Sequence, residues 1–187
     1  MMTTCCAILG LILLVVTNLC IIISFATPYW LEIKDIDVNL YHQPAHRGLW
    51  AYCDYRECTW VFHGNYDRAS DTIWWKATQA LMSCGLALGL LSLMLATMAL
   101  CCGCKDCNAS IAVSILLILS ALSMGGGVVT FGINAHSDAN FQAELSWDEH
   151  PNVKKIFSWS FWLGVAAPGW ALLTSIMYCI EGRKTRL

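Results

Sequence analysis

Four long apolar runs, at about 7–27, 77–100, 109–133 and 156–180, constrain this chain more than any other feature, because none contains Asp, Glu, Lys, Arg or His. Each is long enough to cross a bilayer core as a helix, at about 20 residues per crossing. With 57% hydrophobic and only 13% charged residues and a mean hydropathy of +0.56, the chain reads as a membrane protein and not as a soluble domain. A net charge of −2 gives no basic surface for nucleic acid. The first run competes with a cleaved signal peptide. It lacks a basic leader and a small-residue cleavage site before Trp30, so a retained span is expected. The 187 residues are read as one four-span domain, with polar loops at about 28–76 and 134–155.

Between the first two runs, Cys53 and Cys58 are flanked by Leu49-Trp50-Ala51-Tyr52 and Thr59-Trp60-Val61-Phe62, which reads as a β-hairpin closed by a disulfide. Alternation puts Trp50 and Tyr52 on one face of the strand and Leu49, Ala51 and Cys53 on the other. The same loop is rich in aromatics (Trp30, Tyr41, Trp50, Tyr52, Tyr55, Trp60, Phe62, Tyr66) and acidic overall; its charges are read as a solvated face. A hairpin by itself is marginal in water, so the apolar runs are expected to support it.

The second run opens on Ile73-Trp74-Trp75-Lys76, an interfacial belt. Its Gly85 and Gly89 permit close approach, either of a neighbouring helix in the bundle or of a second copy. Beyond it, Cys101, Cys102, Cys104 and Cys107 crowd beside the membrane. Four ligands within seven residues make a poor zinc cage, and palmitoylation is the expected fate. Asn108-Ala109-Ser110 matches a glycosylation acceptor, but on the side of those cysteines it is expected to stay unused. The third run contains Gly125-Gly126-Gly127, and the fourth a Pro168-Gly169 pair that predicts a kink.

Four spans put both termini on one side. Lys34, Arg47, Arg56, Arg68, Lys76, Lys154 and Lys155, seven of the eleven Lys and Arg residues, lie in the two loops, which runs against the positive-inside rule. Cysteine chemistry decides the orientation: Cys53 and Cys58 pair in an oxidising space, the crowded cysteines stay reduced, and both termini are cytoplasmic. With no ionisable residue in any span, a pump, transporter or intramembrane enzyme is disfavoured. His42, His46, His63, His136 and His150 lie in the loops and read as solvated, with no cofactor or metal assigned.

Trp30, then Gly48-Leu49-Trp50, then Cys53 and Cys58, in the first loop of a four-span chain, resemble the signature of the claudin and peripheral myelin protein superfamily. The four-residue gap between the cysteines, Trp75-Lys76-Ala77-Thr78-Gln79-Ala80 and Ser158-Trp159-Ser160-Phe161 look most like the epithelial membrane protein and lens fibre membrane intrinsic protein branch. The first loop lacks the glycosylation acceptor that epithelial membrane proteins commonly carry, and calcium-channel gamma subunits share a similar start to the fourth helix. The resemblance implies an all-α membrane bundle of four helices, left-handed, topped by a small extracellular antiparallel sheet. It also implies that Trp30, Gly48, Leu49 and Trp50 seat the sheet and that Cys53 and Cys58 form its disulfide. Function would then be non-enzymatic: adhesion or junction formation at plasma-membrane cell contacts, with paracellular barrier or selectivity as a further role. Acidic loops would favour cations. Partners would be the bilayer, further copies in the same or the opposing membrane, and other membrane proteins. The alternative is an auxiliary subunit of a channel or receptor. Thr185 and Leu187 also fit a PDZ ligand, though Arg183, Lys184 and Arg186 equally read as a stop-transfer cluster.

Overall fold

The computed structural model describes residues 5–35, 45–53, 56–61, 72–102, 109–137 and 153–184. Its four long helices are α1 (Cys5–Ala26), α2 (Ile73–Cys102), α3 (Ala109–Ser137) and α4 (Trp159–Lys184). Each is long and apolar enough to cross a membrane. α1 and α3 each pack on both α2 and α4, which closes a four-helix bundle.

The bundle is apolar on its outer surface as well as in its core. Along α1, Leu14, Thr17, Asn18, Ile21 and Ser24 recur at helical spacing and are buried, while Ile8, Ile12, Leu19 and Ile22 face outward. Lipid supplies no hydrophobic drive to join helices, so small and hydroxyl side chains do it through close packing and hydrogen bonds. Thr17 meets Thr174 at 3.2 Å, Ser114 meets Ser175 at 3.0 Å, and Ser120 donates to the Gly85 carbonyl at 2.7 Å. Gly85 and Gly89 are spent inside the bundle: a Cβ on Gly85 would strike Met124, and one on Gly89 would sit 2.9 Å from Asn18 Oδ1. Pro168 is accommodated within α4, which continues to Lys184.

At one end of the bundle sits a five-stranded antiparallel sheet in the order β4-β3-β2-β1-β5. The strands are β1 (Leu31–Asp35), β2 (Ala45–Arg47), β3 (Ala51–Cys53), β4 (Cys58–Trp60) and β5 (Val153–Phe157). β1 leaves α1 after four residues, and β5 enters α4 through Ser158 alone. Register places Leu31 between Arg47 and Phe157, and Glu32 between His46 and Ile156.

Two sequence expectations are corrected. The apolar run that begins at Ile156 is not helical at its start: Ile156 and Phe157 complete β5. The helix opens only after Ser158, whose carbonyl accepts from the Phe161 amide at 3.1 Å. Hydropathy counts apolar residues without registering the strand partner that claims them. The strand expected to run from Leu49 to Cys53 also starts later, at Ala51. A Gly48 N–H to Ala51 carbonyl bond at 2.9 Å turns the backbone first, and Leu49 and Ala51 are buried while Trp50 lies against Phe25. Tyr41, Tyr55, Phe62, Tyr66, His42, His63, His150, Cys104, Cys107, Asn108, Thr185 and Leu187 lie outside the described residues.

Candidate functional site

The junction between sheet and bundle gathers the signature residues. Trp30 is fully buried where α1 turns into β1. Its indole Nε1 donates to the Ser24 carbonyl at 2.7 Å, its amide donates to the Arg47 carbonyl at 3.2 Å, and its own carbonyl accepts from the Ser158 amide at 3.0 Å. One residue thereby ties together α1, β2 and the link from β5 into α4. Phe131 of α3 is the aromatic hub beneath it, with ring centroids 4.8 Å from Trp30, 5.4 Å from Trp75 and 5.9 Å from Phe161. The Trp30–Phe131 pair is edge-to-face and the other two are tilted, and aromatic pairs add about 0.5–1.5 kcal/mol each beyond burial.

Gly48 presses on the Pro28 backbone and on the Thr27 carbonyl oxygen, which an added Cβ would approach to 2.6 Å. Leu49 is fully buried, and its carbonyl accepts from Gln79 Nε2 of α2 at 2.7 Å. Trp50 packs on Phe25 at 5.2 Å, and its carbonyl accepts from the Val61 amide at 2.9 Å. Cys53 and Cys58 face each other across β3 and β4 and are joined by a disulfide.

Arg47, grouped with the solvated charges by the sequence reading, is fully buried. Its guanidinium carbon lies 4.9 Å from the centre of a Trp75 ring, a cation held over an aromatic face. Next to Ile33 in the register, Lys155 has its pKa lowered by burial first and by the Arg47 charge second. Sequence reasoning also passed over Phe131 and the hydroxyl knot at the α1–α4 crossing. There Ser24 Oγ donates to the Ser160 carbonyl at 3.0 Å, and Ser160 Oγ lies 2.7 Å from Thr27 Oγ1. The one available signal for Arg47 was its position immediately before Gly48-Leu49-Trp50.

The opposite face of the sheet carries Glu32, Lys34, His46 and the disulfide, with a 3.0 Å ion pair between Lys34 and Glu32. The Tyr29 ring lies 4.6 Å from His46 and 5.5 Å from Trp159. Trp60, on β4, is 48% exposed. At the end of the bundle remote from the sheet, Cys101 is exposed near the end of α2, followed by Cys102 as its last residue. Among the described residues no group of three or more His, Cys, Asp or Glu side chains is placed to hold a metal ion.

The arrangement is a packed joint, with polar groups directed into hydrogen bonds that fasten sheet to helices. No curated protein matches the chain. The family model described as PMP-22/EMP/MP20/Claudin matches residues 3–178, a range that includes all five strands, the first three helices and most of the fourth. A tetraspan bundle capped by a disulfide-closed sheet, matched over nearly its whole length by that model, places the chain in the PMP-22/EMP/MP20/Claudin family of membrane proteins.

Proposed function

We propose that this protein works at cell–cell contacts of the plasma membrane, presenting its sheet to a second copy or a relative on the same or the opposing cell. The supporting observation is a sheet anchored to the bundle through Trp30, Gly48, Leu49 and Gln79, which still displays Trp60 at its β4 edge. A rigid platform with an exposed aromatic suits contact, since aromatics dominate binding hot spots and a preordered surface loses little entropy on docking. In this reading the chain is one four-span domain, with loops 28–76 and 134–155 outside and both termini in the cytoplasm. The disulfide favours that orientation, and Cys101, Cys102, Cys104 and Cys107 are then sites for palmitoylation.

The test is a mixing experiment with two differently labelled populations of contact-poor cells expressing the protein. Enrichment at contacts between the populations, lost in a Trp60→Ala form that still reaches the surface, supports adhesion across the gap. Uniform distribution of both forms refutes it and shifts weight to the second reading, an auxiliary subunit of a channel. That reading draws on α3, where Gly125 has no neighbouring side chain within 4 Å of a Cβ position and lies between the exposed Leu122 and Val129, a notch suited to a partner helix.

A further inference from the structure

His46 occupies an unusual position for a loop histidine. It pairs with Glu32 on one side and Cys53 on the other, and its ring packs tilted against Tyr29, with centroids 4.6 Å apart. Its Nδ1 is buried, and among the described residues it has no hydrogen-bond partner. A neutral ring tolerates this, because the proton can reside on Nε2 and leave Nδ1 bare. An imidazolium tolerates it poorly, since it must place a buried N–H donor where no acceptor among the described residues reaches it.

We propose that His46 is an acid-release latch of the sheet: the β1–β2 pairing holds a neutral imidazole against Tyr29, and protonation of that imidazole loosens the pairing. This inference stands on the sheet geometry and holds whether or not the protein is adhesive.

The charged groups facing His46 oppose one another. Glu32, its direct cross-strand partner, favours the imidazolium, but its carboxylate is already engaged by Lys34 at 3.0 Å. Lys34 disfavours a second cation, and Lys34 is itself in register with Lys154 of β5. The β3 neighbour, Cys53, is locked in the disulfide and carries no charge, while Trp159 of α4 packs on Tyr29 and is uncharged. Arg47 follows His46 in sequence but projects to the other face of the sheet, over Trp75. Burial is the largest influence and Glu32 opposes it; the result is a His46 pKa below its ordinary 6.5. The sign follows directly. A histidine whose folded value is depressed binds fewer protons folded than unfolded, so its stabilisation is complete above 6.5 and is lost as pH falls through the folded value.

The full chain, reconstituted in lipid nanodiscs, is titrated by NMR with 13C-labelled histidine, and the His46 resonance is identified by its disappearance in His46→Gln. In parallel, amide exchange of residues 31–35 and 45–47 is compared at about pH 7.5 and about pH 5.5, corrected for intrinsic rates. The expected result is a midpoint below 6.5, a severalfold loss of protection in both strands on acidification, and no such loss in His46→Gln. Should that variant not fold, two others carry the test: Glu32→Gln lowers the wild-type midpoint further and Lys34→Gln raises it. A midpoint at or above 6.5, equal acid loss in wild type and His46→Gln, or midpoints indifferent to Glu32 and Lys34 overturns the proposal.

Discussion

Replacing Gly48 with alanine tests whether the sheet is seated by steric fit. No left-handed φ is involved at Gly48, so its need for glycine is spatial and not conformational. A Cβ there would lie 2.6 Å from the Thr27 carbonyl oxygen and still closer to Pro28 Cα, whereas ordinary contact begins at 3.4 Å. The two backbones must therefore separate by about 0.8 Å at the Thr27 oxygen and by more at Pro28, which cannot swing aside because its ring fixes φ. The same movement strains the Trp30 amide bond to Arg47 and the Gly48 bond to Ala51. Overpacking costs about 1–3 kcal/mol, and unyielding backbone puts Gly48→Ala near 3. For a chain of this size that corresponds to a fall of about 6–12 °C in Tm. Gly125→Ala is the matched control. With nothing within 4 Å of its Cβ, it should gain about 1 kcal/mol from helix propensity and rise by about 2–4 °C. Both are read by thermal unfolding in the same nanodiscs, following tryptophan emission. A Gly48→Ala protein melting within a degree or two of wild type refutes the steric account, as does a fall of equal size at Gly125.

Substitutions at three other positions probe the same joint. Gln79→Ala removes the donor to the buried Leu49 carbonyl and should cost about 1–3 kcal/mol, with faster amide exchange concentrated at residues 48–51. Cys58→Ser opens a loop of sequence separation 5 and should cost about 2 kcal/mol; dithiothreitol should lower the wild-type melting point by a similar amount and leave the variant unmoved. Arg47→Ala empties a fully buried site and removes the cation over Trp75, for a loss of about 3 kcal/mol. Arg47→Met, which keeps most of the side-chain volume, should recover part of it, again by thermal melting.

What the sequence made legible was local or periodic. Charge-free runs announce membrane helices because a span needs about 20 such residues in a row. The Cys53–Cys58 hairpin was readable because its partners lie five apart. The strands β1 and β2 were not assigned from sequence, although Leu31-Glu32-Ile33-Lys34 alternates, because four residues are too few to stand out against a loop. The resemblance implied one strand from the second loop, but the bounds of β5 were hidden for a different reason: its apolar end merges into the helix that follows. Arg47 shows the sharpest limit. An arginine in an acidic loop is ordinarily solvated, and only the placement of Trp75 beneath β2, set by residues far along the chain, makes it a buried part of the joint. Phe131 is similar, one aromatic among many until five rings surround it.

The short links at the Leu31–Phe157 end of the β1–β5 pair have a mechanical meaning. β1 continues from α1 and β5 continues into α4, and the two helices are laced together at that level by Ser24, Thr27 and Ser160. A load applied to the sheet therefore travels down two covalent rails at once. Because both rails leave the pair at its Leu31–Phe157 end, each strand carries its share to its own helix and the ladder is not prised open. Tension on the sheet would thus tilt α1 and α4 as a single lever and carry displacement through the thickness of the bilayer.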